Sequence, residues 1–345
     1  MESEEALVAI VMGLDQHRAQ LTADWLDSDT GEISRGRVIP GDRTGMRRFL
    51  NRFDGQELEA AFEATTGWRF VAEQLARVGA HAHLAEPAET SGMRGPKRRA
   101  KTDSADARHL RELLMGRRLP QSWISPAYLL DLRARVRLRH TLSHQRCEWQ
   151  QRIQAVLYHH GLPHRSQLMT REGRQWLAAA DLAPSAREQV LVYVALIDTL
   201  DGQMAPVDRA LRQFARCQPG CKALMRIYGI GELTSVTILA ELGDARRFSS
   251  SRDAVRYAGT DVTVSQSDQR RSAGHISRQG PPASRWALYE AAQVARHPGS
   301  PDRDYYLQAK ERLGGNRACL AVARKLLKRS YHVLRELGEE AIAPV

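Results

Sequence analysis

The feature that most constrains the fold is an unbroken run of helix-forming residues between Pro126 and Gly161, which contains neither proline nor glycine. Ser125 and Pro126 are typical of the cap and first turn of a helix, and Gly161 is typical of its end. The run of about 35 residues gives a helix of about 50 Å at about 1.5 Å per residue. Since that length favours a coiled coil over a compact core, we expect a protruding helical coiled-coil arm over residues 121–217.

A second helical stretch completes the predicted arm. It begins at Pro184, and we expect Pro206 to break it before Cys217, because proline removes a backbone hydrogen bond from a helix interior. The first helix carries an apolar stripe that could pack within the chain or between two chains, made of Leu129, Leu132, Leu142 and Val156.

The residues before the arm, 1–120, alternate between strand-like and helix-like segments, which predicts an α/β domain. The run Ala6–Leu14 is continuously apolar, as a buried strand is, and it is followed by Asp15. The next two strands form a hairpin. The predicted strands are Ala6–Leu14, Leu21–Leu26, Arg35–Ile39, Leu58–Phe62 and His81–Leu84, and the predicted helices are Thr44–Arg52, Trp68–Val78 and Ser104–Met115.

The residues after the arm, 218–345, are predicted to form a mostly helical domain. The turn Gly229-Ile230-Gly231 precedes an apolar helix at Leu233–Leu242, a pattern typical of helix-hairpin-helix elements. A short strand at Asp261–Val264 leads into a polar loop. Two further helices are predicted at Trp286–Ala295 and Arg317–Leu337.

Charge is unevenly distributed along the chain. The 51 Lys and Arg exceed the 40 Asp and Glu, for a net charge of +11 and a pI of about 9.8. Residues 1–93 have a balance of −7, residues 94–118 one of +6, and the remainder one of +12. An acidic domain followed by basic segments fits a polyanionic partner such as nucleic acid, although a solvated basic surface is the plainer alternative.

The composition is that of a soluble globular protein, with 42% hydrophobic residues. The longest apolar runs, Leu7–Leu14 and Val190–Ile197, are shorter than a membrane span requires, and the N-terminus lacks the pattern of a secretory signal. Four scattered cysteines do not suggest a disulfide framework. We therefore expect a cytoplasmic protein with no membrane partner.

Four carboxylates form the first candidate site. Asp15 and Glu63 follow the first and fourth predicted strands, while Asp103 and Asp106 lie one turn apart at the start of a helix. In a ribonuclease-H-like sheet the ends of those strands are neighbours, so a helix crossing them would bring the four carboxylates together. Hard oxygen ligands of this kind suit Mg²⁺ and phosphoryl transfer. Individually, each could also be an ordinary strand-end or helix N-terminal acid.

A basic loop lies immediately before the third carboxylate. Its cations could neutralise phosphates brought to the metal, and they are Arg94, Lys97, Arg98, Arg99 and Lys101.

Two further candidate sites lie in the C-terminal domain. Gly229 and Gly231 could leave backbone N–H groups open to a DNA phosphate at a helix N-terminus, or could simply form a tight turn. In the loop Ser265–Gly280, serines flanked by arginines could attack a phosphodiester, although such a loop is more often plain polar surface.

Taken together, these motifs resemble the insertion-sequence-110 family of DEDD transposases, the bridge-RNA-guided serine DNA recombinases. The resemblance covers nearly the whole chain and is carried by Gly13-Leu14-Asp15, Phe62-Glu63-Ala64-Thr65, Lys101-Thr102-Asp103-Ser104-Ala105-Asp106-Ala107, Gly229-Ile230-Gly231 and Gly274-His275-Ile276-Ser277-Arg278-Gln279-Gly280.

The resemblance implies a RuvC-like N-terminal domain in which Asp15, Glu63, Asp103 and Asp106 bind Mg²⁺. It also implies a serine that attacks the DNA backbone and forms a covalent phosphoserine link. Register with Ile276-Ser277-Arg278 favours Ser267 over Ser265, although the family commonly has glycine after its serine and this chain has Asp268. Arg270, Arg271 and Arg278 would then be phosphate clamps.

The implied partners are donor and target DNA, a non-coding bridge RNA that chooses both by base pairing, and further copies of the chain, as a dimer to tetramer. In a prokaryotic cell such an enzyme would act on the nucleoid. Two alternatives remain open on the residues alone: a RuvC-like nuclease or junction resolvase that acts by hydrolysis, and a non-catalytic nucleic-acid-binding protein.

Overall fold

The structure is a computed structural model that describes residues 9–94, 102–262, 266–267, 270–271 and 276–344, with the backbone alone at 266, 267, 270 and 271. The chain divides into two compact units, Met1–Ile124 and Ser125–Val345. The first unit ends close to the predicted boundary at residue 120. The second unit contains both the predicted arm, 121–217, and the predicted domain 218–345, and a separation between those two stays a prediction.

The first unit is built on a six-stranded mixed sheet in the order β3-β2-β1-β4-β5-β6. Strand β1 pairs antiparallel with β2 and parallel with β4, and β5 pairs parallel with β4 and antiparallel with β6. The predicted α/β class and the hairpin are therefore confirmed. The strands are β1 (Ile10–Gln16), β2 (Leu21–Asp27), β3 (Ile33–Val38), β4 (Leu58–Glu63), β5 (His81–Ala85) and β6 (Gln121–Ser122).

Helices cover both faces of this sheet, which explains why β1 and β4 are apolar on both faces. One face packs with the first two helices around a core that contains Met12, Leu14 and Phe62. The other face carries Val11 and Ala61 and packs against the fourth helix. The helices are α1 (Arg43–Leu50), α2 (Trp68–Arg77), α3 (Pro87–Gly92) and α4 (Asp103–Met115).

Within its described residues the second unit is mostly helical, as predicted, with one two-residue ladder and one isolated β-bridge. Its long helices α5 (Ala127–His159) and α7 (Pro184–Cys217) pack along one another. The other elements are α6 (Arg171–Ala179), α8 (Pro219–Leu224), α9 (Glu232–Leu242), α10 (Ser251–Tyr257), β7 (Gln266–Ser267), β8 (Arg270–Arg271), α11 (Pro282–Gln293), α12 (Arg303–Leu313) and α13 (Gly315–Leu337).

The two long helices are joined by apolar and ionic contacts. Ile153 and Leu157 of α5 belong to the same buried cluster as Val190 and Ile197 of α7. Arg139 Nε donates to Asp208 Oδ1 at 2.8 Å, one of the ion pairs between the helices. In the apolar stripe, Leu129 and Leu132 are buried within this chain, whereas Leu142 and Val156 are half-buried.

The prediction that Pro206 breaks the second arm helix is wrong, because α7 continues through it to Cys217. Proline cannot donate to the carbonyl four residues earlier, which belongs to Gly202. Both Gly202 and Pro206 are exposed, so water can satisfy that carbonyl. An interruption that would be costly in a core is tolerated on a solvated helix face.

Helix α7 also departs from the expectation that every apolar segment is too short for a membrane span. By length and composition alone, this helix could cross a membrane, since an 18-residue window has a mean hydropathy of 1.3. Only 11% of the window is buried, and Leu191, Val192 and Leu196 are among its exposed side chains.

Candidate metal centre

The position of α4 on the sheet depends on Gly13. A Cβ atom at this residue would lie 1.9 Å from the carbonyl oxygen of Ala107 and 2.7 Å from the backbone nitrogen of Arg111. Glycine therefore lets the helix backbone contact β1 directly. This close approach brings the N-terminus of α4 to the ends of the strands.

A buried ion pair fixes the same helix to β2. Arg111 Nε donates to Asp24 Oδ1 at 2.6 Å, and the two side chains are 5% and 0% exposed. Arg35 Nε reaches the other oxygen of Asp24 at 2.9 Å from β3. A buried carboxylate needs such partners to offset its lost hydration, so α4 has one preferred position across the sheet.

The strand register brings Asp15 and Glu63 together. Leu14 pairs with Phe62 in the parallel β1/β4 ladder, so the next residues, Asp15 and Glu63, lie side by side. By the two-residue period of a strand, both share the sheet face of Gly13 and Ala61, which α4 covers. Thr102 caps α4 by accepting from Ala105 N at 3.2 Å, which places Asp103 and Asp106 in the first turn.

All four predicted carboxylates line one cavity of about 590 Å³. Their side chains range from mostly buried to half-exposed: Asp15 is 12% exposed, Asp106 13%, Glu63 20% and Asp103 43%. The structure thus brings together the ends of β1 and β4 and the first turn of α4, as the sequence predicted.

Two nitrogen-bearing side chains, His17 and Arg94, contact these carboxylates. His17 Nε2 lies 3.1 Å from Asp15 Oδ2 and 3.3 Å from Asp103 Oδ1. Arg94 Nη1 donates to Asp106, and Arg94 Nη2 lies 3.9 Å from Glu63 Oε1. The predicted phosphate contact Arg94 therefore faces the carboxylates. The other predicted loop cations, Lys97, Arg98, Arg99 and Lys101, lie outside the described residues.

Burial raises the pKa of Asp15, and the negative charges of Asp106 and Asp103 raise it further, while His17 acts in the opposite direction. The carboxylates thus repel one another in a partly desolvated site. A cation would relieve that repulsion.

The donor set fits a divalent metal ion. Hard carboxylate oxygens converge, and Gln16, which also lines the cavity, has a buried Oε1 atom with no hydrogen-bond partner among the described residues. Asp15, His17 and Asp103 place their ligand atoms within 4.8 Å of one another. Carboxylate and amide oxygens suit hard cations, so the site can hold a divalent ion.

Sequence reasoning missed His17. The signal was present in the spacing Asp15-Gln16-His17, because alternate residues of a strand share a face and His17 directly follows the end of β1. Gln20, also missed, donates to Asp103 Oδ2 at 3.3 Å.

The predicted phosphate site at Gly229 and Gly231 has another local role. Gly229 has φ 93°, and a Cβ atom there would lie 2.6 Å from the carbonyl oxygen of Ala291. Gly231 caps α9, and its N–H donates to Thr234 Oγ1 at 2.8 Å. The glycines thus make a tight turn against α11, and phosphate contact remains a prediction.

The serine loop is described mainly at its stem. Val262 pairs with Ile276, and Ser277 N donates to Asp261 O at 3.0 Å. Arg278, a predicted clamp, is exposed and has φ 57°, in the left-handed region. The predicted strand Asp261–Val264 is described only to Val262, where it forms this single bridge.

Within the loop, the backbone of Ser267 pairs with that of Arg270, and Gln266 pairs with Arg271. The side chains of Ser267, Arg270 and Arg271 lie outside what the structure describes, as do all of Ser265 and Asp268. The roles predicted for these residues stay predictions.

Two family models match the chain. A transposase model of the DEDD, IS110 type matches residues 12–160, which include all four carboxylates. The model described as "Transposase IS116/IS110/IS902 family" matches residues 221–307, which include the serine loop. Transposases act on DNA as enzymes, so both matches point to the same enzyme class.

Two curated relatives agree with these matches. The chain is 28% identical over 138 residues to "Transposase for insertion sequence element IS1111A" from Coxiella burnetii (strain RSA 493 / Nine Mile phase I), covering 39% of this chain and 38% of the relative. It is 24% identical over 98 residues to "Probable family 20 transposase" from Pseudomonas aeruginosa strain PAO1, covering 28% of this chain and 29% of that protein. The chain thus matches well under half the length of either relative.

Proposed function

We propose that this chain, for which the two matched models support an insertion-sequence transposase of the IS110/IS116 family, is an RNA-guided DNA recombinase. The observation that carries the proposal is the convergence of Asp15, Glu63, Asp103 and Asp106 in one cavity. A cluster of four carboxylates at the ends of a mixed sheet is suited to metal-assisted phosphoryl transfer.

The four carboxylates would hold Mg²⁺ in this proposal. When bound, Mg²⁺ would stabilise the charge that develops on phosphate oxygens during strand cleavage. The chain's own part is to hold the ligands in place: Gly13 allows α4 to approach the sheet, and Asp24 with Arg111 fixes the helix against β2. Arg94 lies beside Asp106 and Glu63, and it would contact a phosphate brought to them.

Ser267 is the proposed nucleophile, on the basis of the resemblance and its register in the loop. Its hydroxyl oxygen would attack a DNA phosphorus and lose its proton, while a sugar oxygen leaves with the electrons of the broken P–O bond and takes up a proton. The product is a phosphodiester between serine and one DNA end. Attack by the freed sugar oxygen of another strand would then reverse the step and rejoin the DNA.

Donor DNA, target DNA and a guide RNA are the proposed partners, with assembly into a dimer or tetramer. The balance of +12 after residue 118 supports a polyanionic partner. Arg270, Arg271, Arg278 and the loop cations Lys97, Arg98, Arg99 and Lys101 are proposed phosphate contacts. The hydrolytic nuclease alternative is not favoured, because the matched models and both relatives are transposases.

The decisive experiment is a denaturing gel for a covalent protein–DNA adduct. Purified full chain with co-purified RNA, junction DNA of its element and Mg²⁺ is compared with Ser267→Ala, Asp15→Ala and the neighbouring control Ser265→Ala. We expect an adduct in the unmodified protein and in Ser265→Ala, and none in the other two. Cleavage without an adduct that persists in Ser267→Ala but not in Asp15→Ala would establish hydrolysis instead.

A further inference from the structure

His17 occupies an unusual place for a residue outside the four-carboxylate motif. It follows β1, and its backbone N–H donates to Gln20 O at 2.9 Å, which closes the turn into β2. Its Nε2 atom lies 3.1 Å from Asp15 Oδ2 and 3.3 Å from Asp103 Oδ1. One imidazole nitrogen therefore contacts carboxylates from both sides of the cavity, β1 and α4.

These separations suit neighbouring ligands of one ion. Two ligand atoms at about 2.1 Å from a metal and at right angles to each other are about 3.0 Å apart. The imidazole is also 55% exposed, so it lies at the cavity mouth, where a bound ion would still have room for water or a phosphate oxygen.

We propose that His17 is a further metal ligand that shifts the preference of this centre from Mg²⁺ towards first-row transition ions, with Mn²⁺ as the practical probe. This rests on the proposed function, since it assumes that the carboxylates bind a metal. Imidazole nitrogen is a softer donor than a carboxylate and binds transition ions better than it binds Mg²⁺. Binding uses the neutral imidazole, so any proton on Nε2 leaves as the metal enters.

A different role for His17 gives the opposite expectation. If the imidazole acts only as a counter-ion for Asp15 and Asp103, an entering metal must displace it. Removal of the imidazole would then strengthen the binding of every divalent ion. Removal of a metal ligand has the opposite effect: it weakens binding, and it does so most for the ions that favour nitrogen.

The test measures metal binding to the full chain without DNA or RNA. Calorimetric titrations with Mn²⁺ and with Mg²⁺ are made on the unmodified protein, on His17→Ala and on the control His81→Ala, an exposed histidine of β5. We expect His17→Ala to weaken Mn²⁺ binding by about tenfold or more, and Mg²⁺ binding by clearly less. His81→Ala should leave both affinities unchanged.

Pulsed electron paramagnetic resonance of bound Mn²⁺ provides a direct second readout. We expect a ¹⁴N coupling from imidazole in the unmodified protein and in His81→Ala, and its loss in His17→Ala. Absence of that coupling in the unmodified protein, or unchanged or tighter metal binding in His17→Ala, would overturn the proposal.

The same titrations separate this inference from the proposed function. Asp15→Asn should weaken both Mn²⁺ and Mg²⁺, because it removes a carboxylate ligand. If the unmodified protein binds neither ion, or if Asp15→Asn has no effect, the carboxylate centre itself fails. If Asp15→Asn weakens binding and His17→Ala does not, only the role of His17 fails.

Discussion

Each unit of the molecule contains a fully buried carboxylate that is paired with an arginine on another element. In the first unit, Asp24 of β2 pairs with Arg111 of α4, the helix that carries Asp103 and Asp106. In the second, Glu241 of α9 accepts from Arg137 of α5 through both oxygens, at 2.8 Å each, where the long helix meets the smaller helices. The carboxylates are alike at 0% exposure, but Arg111 is 5% exposed and Arg137 56%.

Because the two arginines differ in exposure, the ion pair between β2 and α4 and the ion pair between α5 and α9 hold their elements together in different ways. The Asp24–Arg111 pair is closed to water and works together with the backbone contact at Gly13, so α4 can occupy only one position. Arg137 is in contact with solvent, and Arg133 beside it also donates to the α9 backbone, at 2.6 Å to Ala240 O. We therefore expect the contact between α5 and α9 to tolerate the loss of its arginine better than the contact between β2 and α4 does.

The largest effect is expected from Arg111→Met. The substitution keeps most of the side-chain volume but removes one of the two arginines that pair with the buried Asp24 among the described residues, and the other, Arg35, is itself 58% exposed. Loss of one partner of a buried pair costs about 3–5 kcal/mol. Hydrogen exchange of the full chain should show this loss in peptides from β2 and α4. If the free energy of exchange in these peptides stays within about 1 kcal/mol of the value for the unmodified protein, the Asp24–Arg111 pair is not shielded from water.

Gly13→Ala tests the backbone contact itself. The added Cβ atom would meet Ala107 O at 1.9 Å, so α4 must move, at a cost of about 1–3 kcal/mol and with weakened Mg²⁺ or Mn²⁺ binding. The matched control is Gly202→Ala in α7, where a Cβ atom has nothing within 4 Å. Alanine there should stabilise the helix by about 0.5–1 kcal/mol. Equal effects at the two glycines would refute the close approach.

Arg137→Met is the counterpart of the first substitution in the second unit. Because water can enter beside the lost guanidinium and Arg133 stays close to Glu241, we expect a smaller loss of about 1–2 kcal/mol. Exchange protection of α5 and α9 peptides measures it. If Arg137→Met costs as much as Arg111→Met, exposure of the arginine does not explain the difference between the two junctions.

The smallest effect belongs to an exposed pair between α6 and α7. Arg174 Nη1 donates to Asp198 Oδ2 at 2.9 Å, and this hydrogen bond lowers the pKa of Asp198. The pair therefore adds stability above the unfolded pKa of Asp198, and loses it as the pH falls through the lower folded value. With side chains 36% and 51% exposed, solvent screening limits the effect to well under about 1 kcal/mol.

Arg174→Met should accordingly reduce exchange protection of α6 slightly at pH 7, and less in high salt. The deficit should disappear in acid, once Asp198 is protonated in both states. A deficit that persists unchanged at low pH would mean that Arg174 acts through packing rather than through its charge.

The sequence was most informative where local pattern and position agree. The apolar run before Asp15 and the strand before Glu63 predicted two buried neighbours, and the sheet order brings their carboxylates together as expected. Pro206 misled because its cost depends on exposure, which appears only in the folded chain. His17 was missed because the Asp15-Gln16-His17 spacing indicates only that its side chain shares a face with Asp15, whereas its contact with Asp103, at 3.3 Å, depends on the position of α4.

The order of the ligands along the chain has a consequence for protein synthesis. Asp15 and Glu63 are translated first, but Asp103 and Asp106 belong to α4, which follows the sheet strands β1 to β5. A nascent chain that has emerged only as far as α3 carries two of the four carboxylates and lacks the helix that covers them. The complete cluster of four carboxylates therefore forms only after α4 has left the ribosome, and truncated products that end before α4 lack it.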